Sequence, residues 1–301
     1  MNKLILWDLF GGGQNSIYNT VKEYNLPIDV YTFDITEPQH EKQFKLDLSS
    51  ENVIEELKKY PNPDIIVASP LCQSFSITTT IKGGGTIGWK KLKDRSIQIR
   101  TLDEIKYCLT LNKYMKNWKS EVMLERAKLG KKCVENTLMI IEYFKPKFWY
   151  LENPALSLMW NYTKFNKDID YFYNTTNYSS YGFLTFKPTT FLSNIQLDLR
   201  QEKRKVYKKI VEDNNTYLLF KDGTKIKWVN SKVKRLEILN EASMDKVQVN
   251  QKQKANDSST HQIKEASAVS AIPHLLLKDI LEQFLSENKK WYYINKELKY
   301  L

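Results

Sequence analysis

Long apolar runs and cysteine are both scarce in this chain, and each scarcity argues against a class of protein. No apolar run approaches the roughly 20 residues that a membrane-spanning helix needs, so the sequence predicts no membrane segment. The apolar segment 4–7 is too short for a signal peptide and continues directly into Asp8. The three cysteines, Cys72, Cys108 and Cys133, cannot form a fully paired disulfide framework and suit a reducing compartment. We therefore expect a cytoplasmic protein with no membrane partner.

Negative charge is in deficit, because 46 lysine and arginine residues stand against 35 acidic residues and give a formal net charge of +11. This excess favours a polyanionic partner such as nucleic acid. The abundance of lysine, asparagine, isoleucine and tyrosine is also typical of AT-rich genomes, which weakens the argument from overall charge. Its distribution says more, because basic residues interleaved with aromatics concentrate at 195–265 and favour a nucleic-acid surface over a merely solvated basic face.

Short segments rich in β-branched and aromatic residues alternate with helical patterns along the first half of the chain. The strand candidates are segments 4–7, 30–33, 44–46, 65–67 and 148–151. Segment 65–67 is a continuous β-branched run, which is typical of a strand buried on both faces of a parallel sheet. This alternation predicts an α/β fold with a doubly wound, mostly parallel, Rossmann-like sheet, and with a small basic insertion domain.

Reactive side chains follow two of these strands. Cys72 comes just after segment 65–67, which Pro70 ends, at the edge where open α/β sheets place their ligands. A thiol held there is a candidate nucleophile, whereas a small buried hydrophobe is the alternative role for a cysteine. Glu152 directly follows segment 148–151 and is the second candidate, with a plain salt bridge as its alternative role.

A glycine turn follows the first strand. The glycines at 11–13 precede Ser16, which can begin a helix, and this strand–turn–helix order lets backbone approach a nucleotide-like ligand. A plain loop is the alternative interpretation. Asp34 closes the second strand, where an acid can accept hydrogen bonds from ribose hydroxyls, and Asp47 ends the third. Either acid could instead cap a helix.

Taken in order, these motifs resemble those of the cytosine-C5 DNA methyltransferases, and of their compact phage-type members in particular. Segment 8–12 resembles the motif that cradles S-adenosyl-L-methionine, and segment 69–76 resembles the Pro-Cys-Gln nucleophile motif. Segment 152–154 resembles the Glu-Asn-Val motif, and 187–189 falls where the family has an arginine-rich strand. Segment 270–273 resembles the closing Asn-Ala-Val-Pro segment, so the resemblance covers nearly the whole chain apart from the insertion.

The resemblance implies transfer of a methyl group from S-adenosyl-L-methionine to C5 of a cytosine that is flipped out of double-stranded DNA. The implied catalytic residues are Cys72, Glu152, Lys187 and Thr189. The implied cofactor-binding residues are Asp8, Phe10, Gly11, Gly12, Gly13, Asp34, Ile35, Asp47, Pro70 and Ser270. Cys72 would attack C6 as a thiolate, and Glu152, with its pKa raised by burial, would hold the N3 and N4 edge. No metal ion is expected.

Several positions depart from the family pattern. Gln14 replaces the second glycine of the cofactor motif, and Leu71 replaces the proline directly before the nucleophile, which loosens that backbone. Ile35 stands where an aromatic often stacks on adenine, so stacking would fall to Phe10. Arginines are replaced at Lys187 and Thr189, and an asparagine is replaced at Ser270.

The resemblance also implies three parts of the chain. Residues 1–194 form the catalytic, cofactor-binding domain, residues 195–265 the target recognition domain, and residues 266–301 a segment that returns to the catalytic domain. Within the insertion, segments 216–220 and 226–229 are typical of strands joined by a turn.

The glycine-rich segment 82–88 is the natural lid of such a site. Three glycines in a row form no stable element, and Trp89, Lys90 and Lys91 beside them would be available to phosphates. A core anchor is the alternative role of Trp89.

Two other functions stay open at this point. The same chemistry serves tRNA in a related branch, and the departures at Gln14 and Leu71 would fit a catalytically decayed DNA-binding protein on the same scaffold. The chain is expected to be a monomer, and whether a cognate restriction endonuclease accompanies it is left open. The target sequence cannot be read from the insertion.

Overall fold

The structure is a computed structural model that describes residues 3–76, 85–111, 117–162, 170–181, 187–201, 206–212, 215–220, 225–228 and 271–297. The chain divides into two compact units. The first unit comprises Met1–Gly12, Pro27–Asn174 and Thr189–Gln196. The second comprises Gly13–Leu26, Thr175–Pro188 and Leu197–Leu301. The expected domain bounds at 194 and 265 stay a prediction.

The elements follow one another along the chain with short connections. The strands are β1 (Leu4–Leu9), β2 (Ile28–Asp34), β3 (Gln43–Lys45), β4 (Ile65–Ala68), β5 (Trp89–Lys91), β6 (Ile97–Ile99), β7 (Phe148–Pro154), β8 (Phe172–Asn177), β9 (Pro188–Ser193), β10 (Val206–Glu212), β11 (Asn215–Phe220) and β12 (Lys225–Trp228). The α-helices are α1 (Ser16–Glu23), α2 (Val53–Leu57), α3 (Cys72–Phe75), α4 (Leu102–Leu111), α5 (Ser120–Phe144) and α6 (His274–Glu297). Short 3₁₀ helices lie at Leu158–Asn161 and Tyr178–Tyr181.

The main sheet has seven strands in the order β3-β2-β1-β4-β7-β9-β8. Neighbours from β3 to β7 are all parallel, and β9 is antiparallel to β7. From β1 the chain builds the sheet outward to β2 and β3 on one side, and then to β4 and β7 on the other. The strand order therefore reverses between β1 and β4. The predicted fold class is confirmed: an α/β fold with a doubly wound, mostly parallel sheet, consistent with a Rossmann-like methyltransferase.

The core of the first unit packs alternate strand residues against one stripe of α5. The strand residues are Trp7, Leu9, Ile66, Ala68, Trp149 and Leu151, all 3% exposed or less. On α5, the buried residues Ala127, Val134 and Ile141 recur every seven positions, which is two helical turns and hence one face of the helix. Burial of each large apolar side chain stabilises the fold by roughly 1.5–3 kcal/mol. This packing makes the sheet edges rigid supports for the loops that follow the strands.

Smaller sheets lie elsewhere in the chain. Strands β10, β11 and β12 form an antiparallel sheet, so both strands predicted within the insertion are present and β10 adds a third. Its role in target recognition stays a prediction. Strands β5 and β6 form a hairpin in the first unit.

The hairpin corrects one expectation. Trp89 is 1% exposed and stacks on Phe75 at 5.0 Å between ring centroids, so it is a core anchor and is not available to phosphates. Lys90 forms an ion pair with Glu104 at 3.0 Å. The predicted lid lies largely outside the described residues, which resume at Gly85. In the described part of the chain, no helix has both the length and the apolar character needed to cross a membrane.

Candidate active site

The carboxyl ends of four parallel strands meet at one edge of the sheet in the first unit. The glycine turn follows β1, Asp34 ends β2, Cys72 follows β4, and Glu152 lies near the end of β7. The first and third of these lie on either side of the point where the strand order reverses, which is where open α/β sheets bind ligands. Most of the predicted site is therefore gathered by strand order alone. Gly13 and Lys187 belong to the second unit, and Ser270 lies outside the described residues.

The glycine turn packs its backbone directly on two carboxyl groups. A Cβ atom at Gly11 would lie 2.0 Å from Oδ2 of Asp8, and one at Gly12 would lie 2.5 Å from Cβ of Asp34. Phe10, with φ of 69°, begins the turn and donates its N–H to the carbonyl of Phe33 at 2.9 Å. Positions 11 and 12 consequently accept no side chain without a rearrangement of the turn.

Gly13 differs from the two glycines before it. A Cβ atom there would meet nothing within 4 Å, so packing does not require glycine at this position. Its assignment to the cofactor stays a prediction.

Asp34 holds the loops around it through backbone amides. Its Oδ2 accepts the N–H of Gly12 at 3.2 Å, and its Oδ1 accepts the N–H of Thr36 at 2.9 Å. Each carboxylate oxygen has a second acceptor site, so these bonds leave capacity for a ribose hydroxyl. Ile35, which is 66% exposed, lies beside it and offers an apolar surface for a ring.

Asp8 is buried without a hydrogen bond from any described residue. Its side chain is 5% exposed, and its Oδ2 has no hydrogen-bond partner. Burial, and then the negative charge of Asp34, raise the pKa of Asp8 from 3.8 to about 7. A buried carboxyl oxygen without a partner under a glycine cradle fits a cationic nucleoside cofactor such as S-adenosylmethionine.

Asp47 forms a local turn and does not cap a helix. Its Oδ1 accepts the N–H of Ser49 at 2.9 Å and the Oγ hydroxyl of the same residue at 2.6 Å, whereas the N-cap of α2 is Asn52. The carboxylate is exposed at the end of the third strand. Its contact with adenosine stays a prediction.

Cys72 is the most accessible of the three cysteines. It is partly exposed at the start of α3, whereas Cys108 and Cys133 are each 3% exposed. Burial raises the pKa of the Cys108 thiol, and it raises that of Cys133 to about 12. The core-packing role predicted for these two cysteines therefore agrees with their burial, and a solution reagent would meet Cys72 first.

Two hydrogen bonds hold the turn that carries Cys72. On one side, Nδ2 of Asn153 donates to the carbonyl of Pro70 at 3.0 Å. On the other, Oγ of Ser74 donates to the carbonyl of Arg126 on α5 at 2.8 Å, and Gly130 makes room for this contact, because a Cβ atom there would lie 2.1 Å from Oγ of Ser74.

Asn153 was given no role by the sequence, although it directly follows Glu152. It is fully buried, and its one hydrogen bond joins the end of β7 to the carbonyl two residues before the nucleophile. Its place in the same short motif as Glu152 was the available signal. The bond connects the two strand ends that carry Cys72 and Glu152.

Glu152 and Thr189 are brought together by the antiparallel pairing of β7 and β9. Glu152 pairs with Phe191 and Pro154 with Thr189, so Thr189 is the diagonal neighbour of Glu152 on the same sheet face. Glu152 is 6% exposed and Thr189 is fully buried. The structure thus places a buried carboxyl and a buried threonine beside each other at the sheet edge.

Lys187 packs on an aromatic ring of its own unit. Its Nζ lies 4.4 Å from the ring centroid of Tyr178 and 3.4 Å from the hydroxyl of that residue. Its backbone N–H donates to Oδ1 of Asn177 at 3.2 Å. The ammonium is therefore positioned by Tyr178, and its catalytic role stays a prediction.

A groove of about 600 Å³ lies between α3 and the first half of α5. Leu71 and Gln73 line it on one side, and Val122 and Leu129 on the other. Neither Cys72 nor the glycine turn lines it, so it is separate from the predicted cofactor position.

Comparisons with known proteins give little beyond the fold. No protein-family model matches the chain, and no curated protein matches it. The solved structure of the methyltransferase EhMeth from Entamoeba histolytica is similar over 68% of this chain, with 16% sequence identity and a TM-score of 0.38. The match spans 58% of the length of that methyltransferase. A likeness this distant carries no argument about activity, which must rest on the geometry of the site.

Proposed function

We propose that this chain transfers a methyl group from S-adenosyl-L-methionine to C5 of cytosine in DNA. The observation that carries the proposal is the pairing of an accessible Cys72 with a buried Glu152 on neighbouring parallel strands. The Asn153–Pro70 hydrogen bond joins their strand ends beside the glycine turn of β1. These are the groups that a methyl transfer to a pyrimidine carbon needs, placed at one sheet edge.

The residues present fit the methyl donor. Gly11 and Gly12 supply a backbone cradle, Asp34 has acceptor capacity for the ribose, and Asp8 is a buried acid beneath the turn. When bound, the cofactor supplies an electrophilic methyl group on a positively charged sulfur. The chain itself binds and orients both reactants and excludes water from them.

Cys72 makes the cytosine carbon reactive. C5 of cytosine is a poor nucleophile, and addition of the Cys72 thiolate to C6 breaks the aromatic ring and makes C5 enamine-like. After C5 is methylated, a base removes the C5 proton and the C6–S bond breaks, which returns Cys72 as a thiolate. Because the chemistry needs both faces of the ring, the base must leave the duplex stack.

Glu152 holds the opposite edge of the same ring. A buried carboxyl at the end of β7 suits the N3 and N4 edge of cytosine, where it offsets the charge that develops as C6 is attacked. Thr189 lies beside it on the same face and supports its orientation. The net charge of +11 supplies the attraction to phosphates.

The test is labelled methyl uptake with duplex DNA and tRNA as separate substrates. We expect uptake into DNA, and we expect Cys72→Ser to reduce it by a factor of about a thousand or more, because the nucleophile is lost. Cys108→Ala is the matched control, since it removes a buried thiol of the same unit and should leave uptake nearly unchanged.

Two outcomes contradict the proposal. Undiminished uptake by Cys72→Ser rules out the covalent route, and preferential uptake into tRNA assigns the substrate to RNA. Binding of DNA without calorimetric binding of the cofactor identifies a decayed DNA-binding protein on the same scaffold.

A further inference from the structure

Two carboxyl groups lie under consecutive residues of the glycine turn. Gly11 packs on Asp8, and Gly12 both packs on Asp34 and donates its N–H to it. A ligand bound over the turn therefore meets the electrostatic field of both acids. How the negative charge divides between them follows from their different surroundings.

Asp34 is the acid that keeps its charge. It accepts two backbone N–H groups and is partly exposed, and both features favour the ionised form. Asp8 is 5% exposed and accepts no hydrogen bond from the described residues, so ionisation there is opposed by burial and by the neighbouring charge. Environments that separate the pKa values of two close acids assign different proton states to them.

The other groups that face Asp8 do not offset a negative charge. Asp8 is in register with Val67 of β4, and Val67 is in register with Tyr150 of β7, so the three side chains lie in one row on the same sheet face. Tyr150 is itself surrounded by negative charge, because burial, and then Asp8 and Glu152, raise its pKa well above its ordinary value. Among the described residues, no cationic side chain contributes to the pKa of Asp8.

We propose that Asp8 is protonated in the unliganded protein and releases its proton to solvent when the cationic methyl donor binds over the glycine turn. The donor replaces the proton as the source of positive charge near a buried carboxylate. The demethylated product has lost the sulfonium charge, so it supports ionisation of Asp8 less well. Asp8 is thus a specificity-determining residue that favours donor over product. This inference rests on the proposed cofactor, although not on the identity of the methyl acceptor.

The test is calorimetry of the full-length chain with S-adenosylmethionine, in two buffers of different ionisation enthalpy. We expect release of nearly one proton per donor at pH about 6, and an affinity that rises by about tenfold between pH about 6 and about 8, because the free carboxyl titrates near 7. S-adenosylhomocysteine should release a smaller fraction of a proton. Binding is the readout, so no turnover is required.

The variant Asp8→Asn keeps the shape and cannot ionise. It should bind the donor with no proton release and with an affinity that stays flat over the same pH range, and its preference for donor over product should fall. Gln14→Ala is the matched control, because it changes the same turn without touching either acid and should retain the pH dependence of the parent chain.

Three outcomes would overturn the inference: donor binding without proton release in the parent chain, equal release with donor and product, or no donor binding at all. Failure of the proposed function looks different. Proton-linked donor binding without methyl transfer to DNA would contradict the cytosine assignment and leave the role of Asp8 standing.

Discussion

At the scale of single residues, the candidate site concentrates costs that a purely structural protein would avoid. Asp8 is a buried acid without a hydrogen bond, and Asn153 has a buried carbonyl oxygen without a partner. Burial of an unpaired polar group costs about 1–3 kcal/mol. Such costs are tolerated where a ligand or a reacting group is to be met.

The first prediction concerns the pH dependence of stability through Asp8. Because folding raises its pKa from 3.8 to about 7, the folded state binds more protons than the unfolded state between these values, and stability falls as pH rises through this window. Relative to the parent chain, Asp8→Asn should gain up to about 4 kcal/mol in free energy of unfolding between pH about 4 and about 8. Urea unfolding at a series of pH values measures this, and a constant difference would contradict it.

The second prediction concerns the glycine turn. Gly11→Ala places a methyl group 2.0 Å from a carboxyl oxygen, so it should destabilise the fold by about 1–3 kcal/mol and abolish cofactor binding. Gly13→Ala meets open space and should change the free energy of unfolding by less than about 0.5 kcal/mol. Thermal unfolding and calorimetry compare the two variants, and equal effects would show that the turn does not pack on Asp8 as described.

At the scale of elements, the site depends on ties between strand ends that are distant in sequence. Asn153 joins the end of β7 to the turn after β4, and Ser74 joins that turn to α5. Helix α3 has only four residues and contributes little stability of its own. The position of Cys72 therefore depends on these contacts more than on the helix that contains it.

The third prediction separates this tie from general stability. Asn153→Ala should lower the rate of methyl transfer by roughly ten- to a hundredfold, because a small displacement of the nucleophile is costly, and it should change the alkylation rate of Cys72. Asn194→Ala is the matched control, since Asn194 binds Lys147 and Trp149 at the opposite end of β7. Both variants should lose stability by about 1–3 kcal/mol, and only the first should change Cys72. Equal effects on Cys72 would make Asn153 merely structural.

At the scale of the whole molecule, charge decides the class of partner. A net charge of +11 on a chain without a described membrane helix favours a polyanion, and the proposed reaction names that polyanion as DNA.

The fourth prediction follows from counterion release. The affinity for duplex DNA should fall by at least about tenfold between about 50 and 200 mM salt, and the logarithm of the binding constant should be linear in the logarithm of the salt concentration. Fluorescence anisotropy measures it. Salt-independent binding would mean that phosphate contacts are not the main source of affinity.

The sequence by itself determined the strands and the chemistry at their ends. Continuous apolar runs such as segment 65–67 can be satisfied only by burial on both faces, so β4 and β7 were predictable, and so were the positions of Cys72 and Glu152 directly after them. The helices α1 and α5 also begin at the predicted residues. These features depend on local pattern, and local pattern is present in any single sequence.

Only the tertiary structure decided which strand ends are neighbours and what each side chain meets there. The contact of Gly11 with Asp8, the bond from Asn153 to Pro70, the diagonal placement of Thr189 beside Glu152 and the burial of Trp89 all depend on strand order and register. Register is set by packing between segments that lie tens of residues apart, and no local pattern specifies it. The chemistry was therefore visible in the chain, whereas its geometry and the protonation of Asp8 arise only when the sheet forms.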